Sequence, residues 1–263
     1  MPPIKVVVHG AMGKMGREVT GALCREPGME MVGAVDLAPT RDSLSLPDGS
    51  GAVPLSDNLK FILDSLKPDV LVDFSSAGAV IPVIRQAAKH GVNLVTGTTG
   101  LSAGDIDEIE RLVKAHHIGA VVASNFAIGA VLMMHLAKIT ARYLNSAEII
   151  ELHHDQKKDA PSGTALSTAR AMAAARGKPF SHPEPARNSN SRGEPVDGIA
   201  IHSVRLPGLL AHQEVIFGEA GQTLSIRHDA ISRECYMPGV MLAIKDVVNR
   251  QGLVRGLDVL LGL

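Results

Sequence analysis

The chain of 263 residues carries 26 basic and 27 acidic side chains, a formal net charge of −1, and 45% of its residues are hydrophobic. This length suffices for one large domain or two smaller ones whose cores need no disulfides. The balanced charge, together with only five Phe, two Tyr and no Trp, argues against a nucleic-acid-binding surface.

The cysteines and the apolar segments indicate a cytoplasmic protein. Cys24 and Cys235 match no metal or redox spacing, so we expect reduced thiols and no metal site. No apolar stretch of signal-peptide length precedes Gly10. Segment 119–137 lacks charged side chains, but polar residues and glycines interrupt it, which favours a buried strand, a turn and a helix over a membrane span.

The first half of the chain alternates short apolar runs with amphipathic stretches, a pattern typical of βαβ units around a parallel sheet. It predicts an α/β, Rossmann-like nucleotide domain. The predicted strands are 5–9, 31–36, 70–74, 92–96 and 118–123, and the predicted helices are 14–25, 77–90 and 102–116.

The second half shows a different pattern, because strands follow one another with short turns and no helix between them. This predicts a second α+β domain with a mixed or antiparallel sheet. Its predicted helices are 128–143 and 163–176, and its predicted strands are 148–153, 199–206, 213–218 and 222–228. The polar segment 177–198 is expected to be a mobile or functional loop. A last helix, 239–249, is expected to return to the first domain, so the predicted domains are 1–126 with 238–263, and 127–237.

A glycine-rich turn links the first predicted strand to the first predicted helix. Its sequence, from Gly10 to Gly16, has the spacing G-x-x-G-x-x-G. Glycines there allow a tight turn and a close approach of backbone amides to a pyrophosphate, while the helix start supplies positive potential. Asp36 ends the next predicted strand, where its carboxylate can bind ribose hydroxyls. The alternative is a glycine turn followed by an Asp that caps a helix.

The preferred dinucleotide stays open at this point. The Asp36 carboxylate favours a free 2′-hydroxyl and repels a 2′-phosphate. Lys14, Arg17 and Arg41 are near enough in sequence to compensate.

Two further strand ends should reach the same crevice, because ligands of open parallel sheets bind beyond the carboxyl ends of the strands. Segment 97–100 (Gly-Thr-Thr-Gly) can approach a nicotinamide ribose or carboxamide, or be an ordinary strand-to-helix turn. In segment 123–126, Asn125 can bond the carboxamide or cap the following helix.

The most informative segment is 151–165, which should end a strand, cross a loop and open a helix. Free amides at that helix start predict an anion site for substrate. His153 and Lys157 can donate protons or anchor a carboxylate, which suits reduction of a C=C or C=N bond. A structural role for His153 and His154 is the alternative.

These motifs together, with Asp73-Phe74-Ser75 and the 201–205 strand, closely resemble the dihydrodipicolinate reductase family of lysine and diaminopimelate biosynthesis over nearly the full length. The resemblance implies a homotetrameric cytoplasmic oxidoreductase that uses NADH or NADPH to reduce a cyclic dicarboxylate, 4-hydroxy-tetrahydrodipicolinate, to tetrahydrodipicolinate, with no nucleic-acid or membrane partner.

The resemblance also implies residue roles. His153 and Lys157 take the catalytic roles, and His154, Gly163 and Thr164 bind substrate. The implied dinucleotide contacts are Gly10, Ala11, Met12, Gly13, Lys14, Met15, Asp36, Gly97, Thr98, Thr99, Ala123, Ser124, Asn125 and Phe126. One departure concerns Leu37, which stands where many members carry an Arg that can meet a 2′-phosphate. Use of NADPH would then need another cation, for which Arg41 or a loop lysine is the hypothesis.

Two other functions compete with this interpretation. A related two-domain sugar or amino-acid dehydrogenase would use similar domains but gives no reason for a second anion site. A nucleotide-sensing regulator should carry a basic DNA-binding segment, and the sequence shows no such cluster.

Overall fold

A computed structural model describes residues 2–181 and 191–263 of the chain. These residues fall into two compact units. Unit 1 comprises Met1–Phe126 and Tyr236–Leu263, and unit 2 comprises Ala127–Cys235. In the described part of the chain, no helix combines the length and the apolar character that crossing a membrane requires.

Unit 1 is a parallel sheet flanked by helices. Its elements before residue 127 are β1 (Ile4–His9), α1 (Lys14–Arg25), β2 (Met29–Val35), β3 (Ser43–Ser45), β4 (Ala52–Ser56), α2 (Leu59–Leu66), β5 (Val70–Asp73), α3 (Ala77–Lys89), β6 (Asn93–Thr96), α4 (Ala103–His116) and β7 (Gly119–Val122). The central strands are apolar except near their ends, because helices cover both faces of such a sheet. Val6, Val7 and Val8 of β1, for example, are fully buried.

Unit 2 is a mixed sheet with two helices on one face. Its elements are α5 (Ile128–Thr140), β8 (Ser146–His153), α6 (Gly163–Arg176), β9 (Glu194–Val196), β10 (Ile199–Arg205), β11 (Ala211–Glu219) and β12 (Gln222–Ala230). A 3₁₀ turn (Arg233–Tyr236) follows, and then α7 (Met237–Val247), β13 (Gly252–Arg255) and α8 (Leu257–Leu261) complete unit 1.

The order of strands in unit 1 is β13-β7-β6-β5-β1-β2-β4-β3. Neighbours pair in parallel except β3 with β4. The chain proceeds from β1 to one side through β2 and then crosses to the other side at β5. The carboxyl ends of β1 and β5 therefore flank the position where ligands bind in open α/β sheets.

The order in unit 2 is β12-β11-β8-β10-β9. The pair β8/β10 is parallel, whereas β8/β11, β11/β12 and β9/β10 are antiparallel. Alternation along β8 buries Ala147, Ile149 and Glu151 on the face toward α6, where Ile149 joins a core with Met172, Val215 and Phe217.

The structure adds elements that the sequence analysis did not predict. Strands β3 and β4 and helix α2 occupy 43–66, and β13 extends the parallel sheet. Of the predicted loop 177–198, residues 182–190 lie outside the described residues, and β9 lies within its described remainder.

Candidate active site

The glycine loop of unit 1 is built for a close approach of backbone to a ligand. Gly10 has φ +78°, and a Cβ there would lie 2.7 Å from the carbonyl oxygen of Phe74. A Cβ on Gly16 would lie 2.1 Å from the carbonyl oxygen of Gly10. Helix α1 follows Gly13 without a side-chain cap, so its first amides face outward at the positive end of the helix. This loop fits the pyrophosphate of a dinucleotide.

Asp36 lies directly beside this loop. One carboxylate oxygen accepts the backbone N–H of Met12 at 2.6 Å, and the other accepts the N–H of Leu37 at 2.7 Å. Each oxygen keeps a further lone pair for a ribose hydroxyl. The side chain of Leu37 is 89% exposed. Because it is uncharged, this position offers no cation to a 2′-phosphate. These contacts fit the ribose that the sequence analysis assigned to Asp36.

A cleft of about 600 Å³ adjoins the carboxyl end of β1. His9, Asp57, Asn58 and Pro82 are among its lining residues, which come from β1, the segment after β4, and helices α2 and α3. Its volume lies in the range of small-molecule sites. Its lining includes neither the glycine loop nor Asp36, so the dinucleotide assignment rests on the loop and not on this cleft.

The segments after β6 and β7 both contact Phe74, which directly follows β5. A Cβ on Gly97 would lie 2.1 Å from the ring of Phe74, so only glycine fits there. The rings of Phe74 and Phe126 pack edge to face with centroids 5.9 Å apart. Thr98 and Ala123 are buried, whereas Thr99 and Ser124 are exposed. Helix α5 has Ala127 as its N-cap residue, and an alanine side chain offers no capping oxygen of its own.

A buried carboxylate that the sequence analysis left without a role connects these strand ends. Asp73, at the end of β5, is fully buried and binds His9 Nδ1 at 2.7 Å and the Ser75 hydroxyl at 2.6 Å. Thr96 and Thr98 each donate a hydroxyl to its other oxygen at 2.9 Å. Burial alone would raise the pKa of Asp73, but the bonds from His9 and Ser75 lower it.

In unit 2, the predicted catalytic histidine lies beside a second buried carboxylate. His153 Nδ1 is 2.5 Å from Glu151 Oε2. Arg205 on the neighbouring strand β10 binds both oxygens of Glu151, with Nη1 at 2.9 Å and Nη2 at 2.8 Å. Burial would raise the pKa of Glu151, but hydrogen bonds from His153, Arg205 and Ser203 hold it at about 2. Glu151 is therefore ionised at neutral pH.

The start of α6 is hydrogen-bonded to the same carboxylate, Glu151. The Ser162 N–H donates to Glu151 Oε1 at 3.1 Å, and the Ser162 hydroxyl accepts the N–H of Ala165 at 3.2 Å. The amides of Gly163 and Thr164 have no acceptor in the part of the chain that the structure describes. A Cβ on Gly163 would meet nothing within 4 Å, so this side of the helix start is open. The geometry fits an anion.

The loop between β8 and α6 brings Lys157 to an acidic partner. Lys157 Nζ lies 2.8 Å from both carboxylate oxygens of Asp159. This hydrogen bond lowers the pKa of Asp159. The backbone of Lys157 donates to the carbonyl of His154 at 3.1 Å, and the side chain of His154 is half-buried. The structure therefore gathers His153, Lys157 and the α6 start within one segment of unit 2.

Comparisons with known proteins match both units of the chain to one family. Residues 4–126 match the family described as "Dihydrodipicolinate reductase, N-terminus", and residues 129–261 match "Dihydrodipicolinate reductase, C-terminus". The chain belongs to the dihydrodipicolinate reductase family. A protein of Dehalococcoides mccartyi named 4-hydroxy-tetrahydrodipicolinate reductase is 59% identical over 263 residues, covering 100% of both chains. A Moorella thermoacetica protein of the same name is 49% identical, covering 98% of each.

Solved structures agree with this family assignment. A dipicolinate-bound dihydrodipicolinate reductase from Paenisporosarcina sp. TG-14 is 40% identical and superposes with a TM-score of 0.85, covering 97% of this chain and 98% of that one. An amine dehydrogenase from Mycobacterium smegmatis, 18% identical with a TM-score of 0.65 over 95% of this chain and 94% of its own, shares the fold.

These matches confirm several predictions of the sequence analysis. The chain has an α/β, Rossmann-like parallel sheet with a second, mixed sheet. It is an NAD(P)H-dependent reductase, and its function is that of 4-hydroxy-tetrahydrodipicolinate reductase in lysine and diaminopimelate biosynthesis.

Sequence reasoning missed three side chains that the structure places at these sites. They are Asp73, Glu151 and Arg205. Each lies in a motif named above, but the sequence alone assigned it no functional role. The available signal was an acidic residue within an otherwise apolar strand, at Asp73 and at Glu151. Such a residue is rarely buried without a partner.

Proposed function

We propose that unit 1 binds the reduced dinucleotide and that unit 2 binds and protonates the substrate, (2S,4S)-4-hydroxy-2,3,4,5-tetrahydrodipicolinate. In this assignment His153 and Lys157 are catalytic, and His154, Gly163 and Thr164 bind the dicarboxylate. The observation that carries the proposal is that the imidazole of His153 and the start of α6 are both bonded to the same buried carboxylate, Glu151.

The substrate has two carboxylates, and unit 2 offers two kinds of anion contact. The outward amides of Gly163 and Thr164 suit one carboxylate, because an uncapped amide pair at a helix start favours negative charge. The ammonium of Lys157 suits the other, and its flexible stem allows it to leave Asp159 when a ligand arrives. His154 adds a polar side chain beside this loop.

In this mechanism His153 donates the proton that the substrate takes up when it accepts the hydride. The 4-hydroxyl of the substrate leaves as water together with a hydrogen of the neighbouring ring carbon, which leaves a C=C bond conjugated with the C=N bond. When bound, NADH or NADPH would supply a hydride to that C=C bond, and one proton from His153 completes the reduction. Because Glu151 is ionised, it accepts from Nδ1, and Nε2 is the ring nitrogen that holds the proton for the substrate. After transfer, the neutral ring keeps its Nδ1–H bond to Glu151. Lys157 stabilises negative charge on the bound dicarboxylate. It also gives a proton to the departing 4-hydroxyl and regains one from the neighbouring ring carbon, so the loss of water needs no net proton.

The two proposed catalytic residues are tested by turnover and binding in parallel. We expect His153→Gln and Lys157→Gln each to lower kcat by about 100- to 10,000-fold while the Kd for NADH, measured by fluorescence titration, stays within twofold. The substrate is generated in the assay by the synthase that precedes this step. Equal loss of turnover and of NADH binding would show that the loop supports the fold instead.

The cofactor preference is tested at Asp36. We propose that its carboxylate favours NADH and that Arg41 is the cation available to NADPH. Asp36→Asn should shift the ratio of kcat/KM values toward NADPH by about tenfold. An unchanged ratio, with both oxidations followed under the same conditions, would mean that the ribose does not contact Asp36.

We also propose a cytoplasmic homotetramer. The support within unit 2 is the sheet face opposite α5 and α6, where Ile150, Leu152, Val204 and Ile216 remain only partly buried. The two thiols are free, which fits a reducing compartment. Sedimentation equilibrium should give four times the chain mass, and Ile150→Asp should dissociate the assembly. A monomer at micromolar concentration would contradict the proposal.

A further inference from the structure

Glu151 has more charged and polar partners than a packing role requires. It lies on the helix-covered face of β8 with a side chain that is fully buried, yet at least four donors besides the Ser203 hydroxyl converge on its two oxygens. The donors are the His153 ring, the Ser162 amide and two guanidinium nitrogens of Arg205. These groups come from β8, from the start of α6 and from β10. One carboxylate therefore fixes three separate elements.

The neighbours of Glu151 explain why it can remain ionised in a buried place. Arg205 binds it through two parallel N–H bonds, the strongest arrangement available to a buried carboxylate. Arg205 Nη2 also donates to the carbonyl of Asp159 at 2.7 Å, which fixes the loop that carries Lys157. An ionised carboxylate has no proton to donate, so the short contact to His153 requires the proton to lie on Nδ1.

We propose that Glu151 is the positioning residue of this reductase: it sets the orientation and tautomer of His153 and holds the α6 start at the matching place. This inference rests on the proposed function of His153, because a residue that acts through His153 can matter to turnover only if His153 does. Glu151 touches neither substrate nor cofactor in this role. Its effect is to keep Nε2, and not Nδ1, as the nitrogen that serves the substrate.

A purely structural ion pair is the competing explanation, and the two differ in their dependence on His153. If Glu151 acts through His153, its removal should cost turnover only while the imidazole is present. If Glu151 only supports the fold, its removal should cost the same factor with or without the imidazole. A double-mutant cycle separates the two explanations.

The cycle compares the wild type, Glu151→Gln, His153→Gln and the double variant in the coupled assay. Gln keeps the shape of Glu but offers one acceptor oxygen in place of two. We expect E151Q to lower kcat by about 10- to 100-fold in the wild type and by less than threefold in H153Q. The KM for substrate should change less than kcat. Equal factors in both backgrounds, or an E151Q enzyme with full turnover, would overturn the inference.

Glu148 provides a matched control on the same strand. It lies three residues earlier, on the opposite face of β8, and pairs with His202 at 2.8 Å and with Arg192. The substitution Glu148→Gln removes the same charge from the same kinds of partner, and kcat should stay within twofold. If H153Q keeps full turnover, the proposed catalytic role of His153 is wrong. If H153Q loses turnover but the effect of E151Q is the same with and without His153, only the positioning role of Glu151 is wrong.

A measurement on the wild-type enzyme keeps the inference testable if E151Q does not fold. In ¹⁵N-histidine-labelled protein, two-bond correlation spectra identify which ring nitrogen carries the proton, and H153Q assigns the His153 signals. We expect the neutral ring of His153 to carry its proton on Nδ1. A proton on Nε2 with Nδ1 bare would overturn the inference, since an ionised Glu151 could not then be bonded to it.

Discussion

Among the described residues, units 1 and 2 each bury one carboxylate at or near the end of a strand, and each carboxylate binds Nδ1 of a histidine. Asp73 in unit 1 binds His9, and Glu151 in unit 2 binds His153. The remaining partners differ. Asp73 is surrounded by hydroxyls of serine and threonine, whereas Glu151 faces Arg205. Neutral hydroxyls hold a carboxylate in place without offsetting its charge, while a guanidinium does both.

The two kinds of partner have different electrostatic consequences. The hydroxyl donors hold Ser75 and Thr98 against Asp73 and add no positive charge beside it. In unit 2 the Glu151–Arg205 pair is neutral as a whole, so the α6 start and Lys157 keep their positive potential for a dianionic substrate. The two units thus use similar buried carboxylates to position the backbone in one case and the proposed proton donor, His153, in the other.

The largest predicted effect tests this difference in charge compensation. Arg205→Met leaves Glu151 buried without a permanent cation, and we expect it to lower the free energy of unfolding of unit 2 by about 3–5 kcal/mol. His9→Gln removes one of four donors from Asp73, with an expected cost of about 1 kcal/mol in unit 1. Native-state hydrogen exchange of peptides covering β8 and β1 measures the two separately. Similar costs would refute the distinction between the two carboxylates.

Acid titration gives the next largest effect. The pKa of Glu151 is about 2 in the folded chain against an ordinary value of 4.5, so the folded state binds fewer protons than the unfolded state in this window. The stability that Glu151 contributes is complete above pH 4.5 and is lost as the pH falls toward 2, a total of about 3 kcal/mol. The pKa of Asp73 is lowered from 3.8, so its contribution is lost only below that pH.

The measurement is a series of urea titrations from pH 6 downward on the wild type and E151Q. The difference between their free energies of unfolding should shrink below pH 4.5, because only the wild type loses the carboxylate contribution. A difference that stays constant down to pH 3 would show that the charge of Glu151 contributes nothing beyond its shape.

A smaller effect is expected on cofactor binding. Asp73→Asn replaces one acceptor oxygen by an amide and weakens the bonds that hold Thr98 and Ser75, so the Kd for NADH should rise by about tenfold. Asp69→Asn is the control, since Asp69 accepts the Lys5 amide at the opposite end of β5. Affinity for pyridine-2,6-dicarboxylate (dipicolinate), an analogue of the substrate proposed to bind unit 2, should stay unchanged in both variants. Equal weakening by both substitutions would indicate general loosening of the sheet.

Sequence patterns predicted the parts of the molecule that depend on local order. Apolar runs located the central strands, and the glycine spacing located the loop before α1, because each property is encoded within a few residues. The same holds for the α6 start, where Ser162 is the N-cap residue that its type favours.

The buried networks could not be predicted because they depend on strand register. Arg205 lies 54 positions from Glu151, and His9 lies 64 positions from Asp73. Each pair meets only because one strand lies in parallel beside the other with Ser203 opposite Glu151 and with His9 opposite Asp73. A shift by one residue would place the partners on opposite faces.

The smallest effect concerns an exposed carboxylate that we expect to compete with the substrate for Lys157. Asp159 has a side chain that is 60% exposed, and it holds Lys157 through both oxygens. A dicarboxylate must displace it to reach the ammonium, and exposed ion pairs contribute about 1 kcal/mol or less. Asp159→Asn should therefore lower the Kd for pyridine-2,6-dicarboxylate by about twofold to fivefold in isothermal calorimetry.

Asp155→Asn is the matched control for this last effect. Asp155 is exposed and lies two residues before Lys157. Removing its charge reduces repulsion of the incoming dianion without releasing the ammonium. A larger gain from Asp159→Asn than from Asp155→Asn isolates the ion pair. Weaker binding by the Asp159 variant would reverse the interpretation, because Asp159 would then orient Lys157 toward the ligand, as Glu151 is proposed to orient His153.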